Sequence, residues 1–151
     1  MRTMKTRSGR DAGHAVAALY QMHYPALVRL AALLVPDLAI AESIVQDAFA
    51  AVHDRWYLLS DADAALAYLR RSVIHRSRSM PPPGSAEETS EPGSAVVSAL
   101  RALSARQREV VVLRYFADLP EAEIASATGM SMAAVRNHAA QAMLSLQAGL
   151  G

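Results

Sequence analysis

The sequence contains no cysteine, which excludes a disulfide, a thiolate nucleophile and a zinc site with cysteine ligands. No stretch reaches the roughly 18 consecutive apolar residues that a membrane-spanning helix needs. We therefore expect a cytoplasmic protein without membrane insertion. Lysine occurs once, at Lys5, and arginine supplies the other 14 of the 15 basic side chains. Aromatic residues are few and alanine is abundant, a composition that favours helices.

Patterns that would carry catalysis or bind a metal are also missing. The five histidines have neither H-x-x-x-H nor H-E-x-x-H spacing, and no glycine-rich loop could cradle a phosphate. We therefore expect no metal, no cofactor and no enzymatic activity.

The distribution of charge divides the chain more clearly than its net charge of +1. Residues 1–80 carry ten basic and seven acidic side chains. Residues 81–94 carry no basic and three acidic side chains, and residues 95–151 carry five basic and four acidic ones. The segment PPPGSAEETSEPG, residues 81–93, has no large apolar side chain and cannot bury enough surface to offset its ordering entropy. The sequence predicts an all-α protein of two small helical domains, 1–80 and 95–151, joined by a flexible linker, 81–94.

Apolar periodicity predicts three or four helices in the first block. We expect the first of them to break or kink at Pro25. A stripe of apolar residues over 38–52 predicts another helix. Asp61 or Asp63 can cap a further helix that runs over about 64–79.

The second block is predicted to contain four helices. Residues 96–103 form the first, and Ser104 opens a capping box with Gln107 for the second. The third begins near Pro120, a residue type tolerated in a first helical turn. The fourth lies in the stretch GMSMAAVRNHAAQAMLSL, residues 129–146.

The third and fourth of these helices fit a helix-turn-helix. Ala125 is small where two helices must cross closely, and Gly129 stands where the turn favours positive φ. Ser131 can cap the second helix, and Val135 points back into the core. An ordinary helical hairpin is the alternative, because these residue types are common in this chain.

Helical periodicity places polar side chains on the outer face of the fourth helix. Arg136 could pair with guanine, and Asn137 or Gln141 with adenine. Together with Ser131 and Met132 they form the predicted DNA-reading face. A solvated polar face is the alternative.

The densest basic cluster, AYLRRSVIHRSRS, ends the first block. Neutralising phosphates is its simplest physical use, and nearby aromatic rings could stack on an unpaired base. The alternative for the basic residues is a solvated helix end, and the alternative for the aromatic residues is packing in the core. The candidate nucleic-acid contacts are Trp56, Tyr68, Arg70, Arg71, His75, Arg76 and Arg78.

Two segments together resemble the bacterial sigma-70 factors. AIAESIVQDAFAAV is similar to their region 2, and ALRALSARQREVVVLRYFADLPEAEIASATGMSMAAVRNHAAQA to their region 4. The order of region 2, a linker without a region 3 domain and region 4 resembles the short extracytoplasmic-function (ECF) type, and the resemblance covers roughly residues 14–148. It implies a protein that is not an enzyme, binds core RNA polymerase and directs promoter-specific initiation. It also admits an anti-sigma factor as a partner.

The resemblance gives roles to the candidate residues. It implies that the helix carrying VQDAF docks on the clamp-helix coiled coil of the polymerase's largest subunit. The expected docking residues are Glu42, Gln46, Asp47 and Phe49, of which the three polar ones share one helix face that could also be merely solvated. The basic cluster is then expected to hold the −10 element of promoter DNA, and the helix-turn-helix to read the −35 element.

The reading helix departs from the family pattern in charge. Gln141 and Ser145 stand where arginines are usual, although the core positions are kept. We therefore expect a preserved scaffold with weakened −35 binding. Two alternatives stay open: a sigma-like adaptor that acts through protein contacts without initiating transcription, and a stand-alone helix-turn-helix regulator.

Overall fold

The described part of the chain is entirely helical. A computed structural model describes residues 2–59, 61–83 and 94–150, which contain seven α-helices, two short turns of other helical types and no strand. The predicted all-α fold class is confirmed. Most of the predicted linker, residues 84–93, lies outside the described residues, so its flexibility stays a prediction.

The first block is a bundle of three helices, each in contact with the other two. They are α1 (Arg2–Ala32), α2 (Leu38–Asp54) and α3 (Ala62–Ser77), and a 3-10 turn at Trp56–Leu58 precedes α3. Apolar side chains three or four positions apart on each helix face the centre, as the periodicity predicts. The most deeply buried on these helices include Ala31, Val45, Val52, Leu69, Val73 and Ile74.

Of the break or kink predicted at Pro25, the break does not occur, because α1 continues through this residue. A proline inside a helix removes the hydrogen bond to the carbonyl one turn earlier, which here belongs to Gln21. Both Pro25 and Gln21 are exposed, so water can satisfy that carbonyl. The cost of the proline is therefore reduced at this position.

An aspartate caps each of the other two helices of the bundle. The Ile40 amide donates to Asp37 Oδ1 at 2.8 Å, and the Ala64 amide donates to Asp61 Oδ1 at 2.8 Å. Asp61 is thus the cap of α3, and Asp63 lies in the first turn, where a negative charge favours the helix dipole.

The second block contains four helices, as predicted. They are α4 (Ser94–Arg101), α5 (Ala105–Val111), α6 (Glu121–Thr128) and α7 (Met132–Leu150), and a π-helical turn at Val112–Phe116 continues α5. α7 packs against α4, α5 and α6. The predicted capping box is present: Gln107 N donates to Ser104 Oγ, and Ser104 N to Gln107 Oε1, both at 3.2 Å.

A buried arginine of α5 binds carbonyl groups at the end of α4. Arg108 donates to the carbonyl oxygens of Leu100 and Leu103 at 2.9 Å each and to that of Arg101 at 3.3 Å. These carbonyls lie at a helix end, where backbone acceptors lack partners within the helix. Burial lowers the pKa of the Arg108 guanidinium, and the neighbouring Glu109 charge raises it.

The two blocks contact each other where α3 lies against α6, and the π-helical turn also touches α1. α3 and α6 therefore share one surface. Both the basic cluster and the helix-turn-helix lie next to this contact.

We expect Arg108→Met to lower the free energy of unfolding by roughly 2–3 kcal/mol, because it leaves buried carbonyls without a charged donor. Urea denaturation followed by circular dichroism measures the change. Arg29→Met removes the same groups from an exposed position on α1 and should change stability by less than about 0.5 kcal/mol. Equal effects of the two substitutions would contradict a capping role for Arg108.

Candidate polymerase and nucleic-acid interfaces

The predicted docking face lies on the outer side of α2. Gln46 and Asp47 are exposed and Glu42 is half-buried, whereas Ile44 and Val45 on the opposite side are buried. The Asp37 cap sets where the helix begins, and the buried apolar stripe of α2 determines which residues point outward. The resulting face is polar and acidic, which suits a basic partner helix.

Phe49 does not belong to that exposed face. It is 4% exposed, and its ring lies 5.1 Å from that of Tyr20 and 6.4 Å from that of Tyr24. Tyr20 and Tyr24 are themselves stacked at 4.4 Å. Phe49 thus packs α2 against α1 and exposes little surface in this conformation, and a direct docking role for it stays a prediction.

Three arginines of the basic cluster form ion pairs with carboxylates of the protein itself. Arg70 Nη1 lies 3.5 Å from Glu123 Oε1 on α6, and Arg76 Nη1 lies 3.9 Å from Asp47 Oδ2 on α2. The contacts are long and partly exposed, so each contributes little stability. These ion pairs nevertheless engage arginine side chains that were predicted to contact DNA phosphates.

Arg78 makes the strongest of these contacts. Its Nε donates to Glu109 Oε2 at 2.9 Å, and its Nη2 donates to Glu109 Oε1 at 3.1 Å and to the Thr128 carbonyl at 2.6 Å. The Glu109 side chain is 5% exposed and also lies 3.7 Å from Arg106. Hydrogen bonding to Glu109 raises the pKa of Arg78, against the opposing effect of burial. The pair joins the two blocks.

An open groove of about 560 Å³ lies between α3 and the turn after α6, and Arg71 and His75 border it. Arg71 and His75 are exposed, and the Arg71 guanidinium lies 5.9 Å from the centre of the Tyr68 ring. Tyr68 and Trp56 are half-buried against the core, so packing is part of their role. Tyr68 lines the groove and Trp56 does not.

The turn between α6 and α7 has the geometry of the predicted helix-turn-helix. Gly129 ends α6 with a φ of 79°, a left-handed conformation that suits glycine. The Ala134 amide donates to Ser131 Oγ at 3.1 Å, which caps α7. Val135 is fully buried and fixes the rotation of α7, so Arg136 and Asn137 face outward.

Neighbouring elements of the second block hold two side chains of the predicted reading face. Arg136 Nε donates to Glu121 Oε1 at 2.9 Å, and Gln107 Nε2 donates to Gln141 Oε1 at 3.3 Å. Asn137 and Met132 are exposed. The face is therefore partly pre-ordered.

Sequence reasoning missed three glutamates that hold the arginines: Glu109, Glu121 and Glu123. Glu109 had a signal, because it directly precedes the apolar run VVVL and helical periodicity turns it inward. Glu121 and Glu123 lie in the first turn of α6, where acidic residues ordinarily serve the helix dipole. Nothing local in the sequence indicated their arginine partners.

Within residues 2–59, 61–83 and 94–150, no three histidine, aspartate or glutamate side chains come together as a metal site. No helix in the described part of the chain is long and apolar enough to cross a membrane.

Comparison with known proteins connects these surfaces to one family. The signature described as Sigma-70, region 4 matches residues 94–146. The RNA polymerase sigma-E factor of Streptomyces coelicolor is 33% identical over 138 residues, which covers 81% of this chain and 78% of that protein. The protein of the same name from Streptomyces avermitilis is 32% identical over 138 residues, which covers 81% of this chain and 77% of that protein.

A solved structure, described as CnrH in complex with the cytosolic domain of CnrY, has the same fold. It aligns with a TM-score of 0.80 and 23% identity, covering 99% of this chain and 96% of the other. Likeness at that identity concerns the fold alone. The identity to the two Streptomyces proteins spans most of each chain, and on that ground this chain belongs to the sigma-70 family of RNA polymerase sigma factors.

Proposed function

We propose that this chain is a sigma factor of the ECF type that binds core RNA polymerase and directs it to promoters. In this proposal residues 1–80 bind the polymerase and the −10 element, and residues 95–151 bind the −35 element. It acts in the cytoplasm as an initiation factor and is not an enzyme. An anti-sigma factor is a further partner that the proposal admits.

The observation that carries the proposal is the presence of two different exposed surfaces in a chain so similar to named sigma factors. α2 presents the polar face of Glu42, Gln46 and Asp47, and α7 presents Arg136 and Asn137 from a helix-turn-helix. A stand-alone DNA-binding regulator would have no use for the first surface. Run-off transcription with core polymerase and a promoter selected from the source genome tests the proposal directly.

The contact between the blocks bears on how the −10 surface would act. Arg70 and Arg78 bond to Glu123 and Glu109 of the second block, so DNA phosphates would compete with these carboxylates for the same arginines. We infer that the blocks separate before both arginines contact DNA. Arg71 and His75, which are exposed, would be free to meet DNA first.

A sigma-like adaptor that does not initiate transcription is the second candidate. The observation in its favour is that α7 carries a single arginine, Arg136, and that this side chain bonds to Glu121. Binding to core polymerase without run-off product from any selected promoter would favour the adaptor.

We expect Asp47→Lys to weaken binding of the full chain to core RNA polymerase by on the order of tenfold or more, because it reverses charge on the docking face. Asp54→Lys makes the same change at the end of α2, on a side chain that is also exposed, and serves as the matched control. A fluorescence titration of the polymerase measures both affinities. Equal affinity of the two variants would remove the docking assignment.

We expect Glu109→Gln to separate the two blocks more often, because it removes the buried charge that binds Arg78. The chain has no cysteine, so cysteines introduced at the exposed positions Asp63 and Gln147 accept fluorophores specifically. The transfer efficiency between the labels should fall. Asp118→Asn, the same change on an exposed turn, should leave it unaltered. Unaltered transfer in both variants would show that contact between the blocks does not depend on this pair.

We expect the double substitution Gln141→Arg and Ser145→Arg to tighten binding to −35 DNA, since both positions are exposed on α7. Each new phosphate contact should steepen the slope of log affinity against log salt by about 0.9. Arginines introduced at Ala18 and Gln21 of α1 add the same charge on an exposed surface elsewhere. A slope no steeper than that of this control would mean that α7 does not face DNA.

A further inference from the structure

Glu121, the first residue of α6, lies between two arginines of the helix-turn-helix domain. Its Oε1 accepts a hydrogen bond from Arg136 Nε at 2.9 Å, and its Oε2 lies 3.9 Å from Arg114 Nη1. Its side chain is 29% exposed, whereas that of Arg136 is 60% exposed. The carboxylate is thus held near the protein surface while the arginine extends beyond it.

The atom that Glu121 binds matters for base recognition. An arginine offers five N–H groups, and guanine is read by two parallel bonds to its O6 and N7. The bond to Glu121 engages Nε, on the side of the guanidinium. The terminal Nη1 and Nη2 groups can then form the two bonds to a base end-on. A carboxylate bound to those terminal groups instead would have blocked them.

We propose that Glu121 is a positioning residue that sets base specificity by holding Arg136 in a guanine-reading orientation. The inference rests on the proposed function, in which α7 reads promoter DNA. A long arginine side chain that is ordered before binding loses less entropy when it meets its base. Glu121 restrains the side chain on one edge, and Val135, buried one residue earlier, fixes the backbone that carries it.

The same carboxylate has a second, opposite effect. Its negative charge repels nearby phosphates, and Arg114 offsets only part of that charge across 3.9 Å. Loss of Glu121 should therefore raise affinity for DNA of any sequence while lowering discrimination among sequences. A residue with a merely structural role would lower both together.

The test uses the full chain and measures binding to duplexes that carry each of the four bases at the position where the parent prefers guanine. Glu121→Ala should reduce that preference by roughly fivefold or more and raise affinity for unrelated DNA. Glu121→Gln keeps an oxygen acceptor for Arg136 Nε and should retain most of the preference. Arg136→Ala should abolish it, and adding Glu121→Ala to that variant should cause no further loss.

Glu123→Ala is the matched control. It removes the same charge two residues further along α6, from a side chain that contacts Arg70 of α3 rather than Arg136. It should leave base preference as in the parent. The inference is overturned if Glu121→Ala keeps the parent's preference, or if Glu123→Ala loses as much. A parent with no base preference at any position would overturn the proposed −35 reading itself, and this inference with it.

Discussion

One buried carboxylate, that of Glu109, binds an arginine of the other block and so links the two. Taking a carboxylate out of water is costly, and the cost is offset only when well-placed donors surround it. Arg78 supplies two parallel bonds from the first block, and Arg106 supplies a charge from the same helix as Glu109. Arg78 also donates to the Thr128 carbonyl, directly before the turn of the helix-turn-helix. The end of α3 is thereby tied to the domain that carries the reading helix.

This contact gives the arginines two sets of partners. Carboxylate and phosphate oxygens offer an arginine the same kind of charge-assisted hydrogen bond, so the glutamates of the second block imitate the ligand proposed for the first. Any affinity of the α3 surface for DNA is then the difference between the free energy of binding phosphates and that of binding the glutamates. A net charge of only +1 is consistent with such internal pairing. The exposed Arg71 and His75 are the members of the cluster that such competition affects least.

Local rules predicted most of the fold. The Ser104 capping box, the left-handed Gly129 and the buried Val135 each depend on residues within a few positions, and each is present. Whether the helix breaks at Pro25 could not be predicted, because the cost of the proline depends on whether water reaches one carbonyl, which the packing of the bundle determines. In the candidate site, periodicity predicted the outward positions of Gln46 and Asn137. The arginine partners could not be predicted, because Arg70 and Glu123 lie 53 residues apart in the chain.

The burial of Phe49 likewise shows that not every residue of the docking motif is exposed. A motif taken as a unit mixes residues that contact a partner with residues that hold the contacting ones in place. Phe49 packs on Tyr20 and Tyr24, whereas Gln46, three residues earlier on the same helix, is exposed. The reading helix follows the same division, with Val135 inside and Arg136 outside. With few charges to attract phosphates, α7 would depend on how accurately Arg136 is placed, and buried and paired neighbours determine that placement.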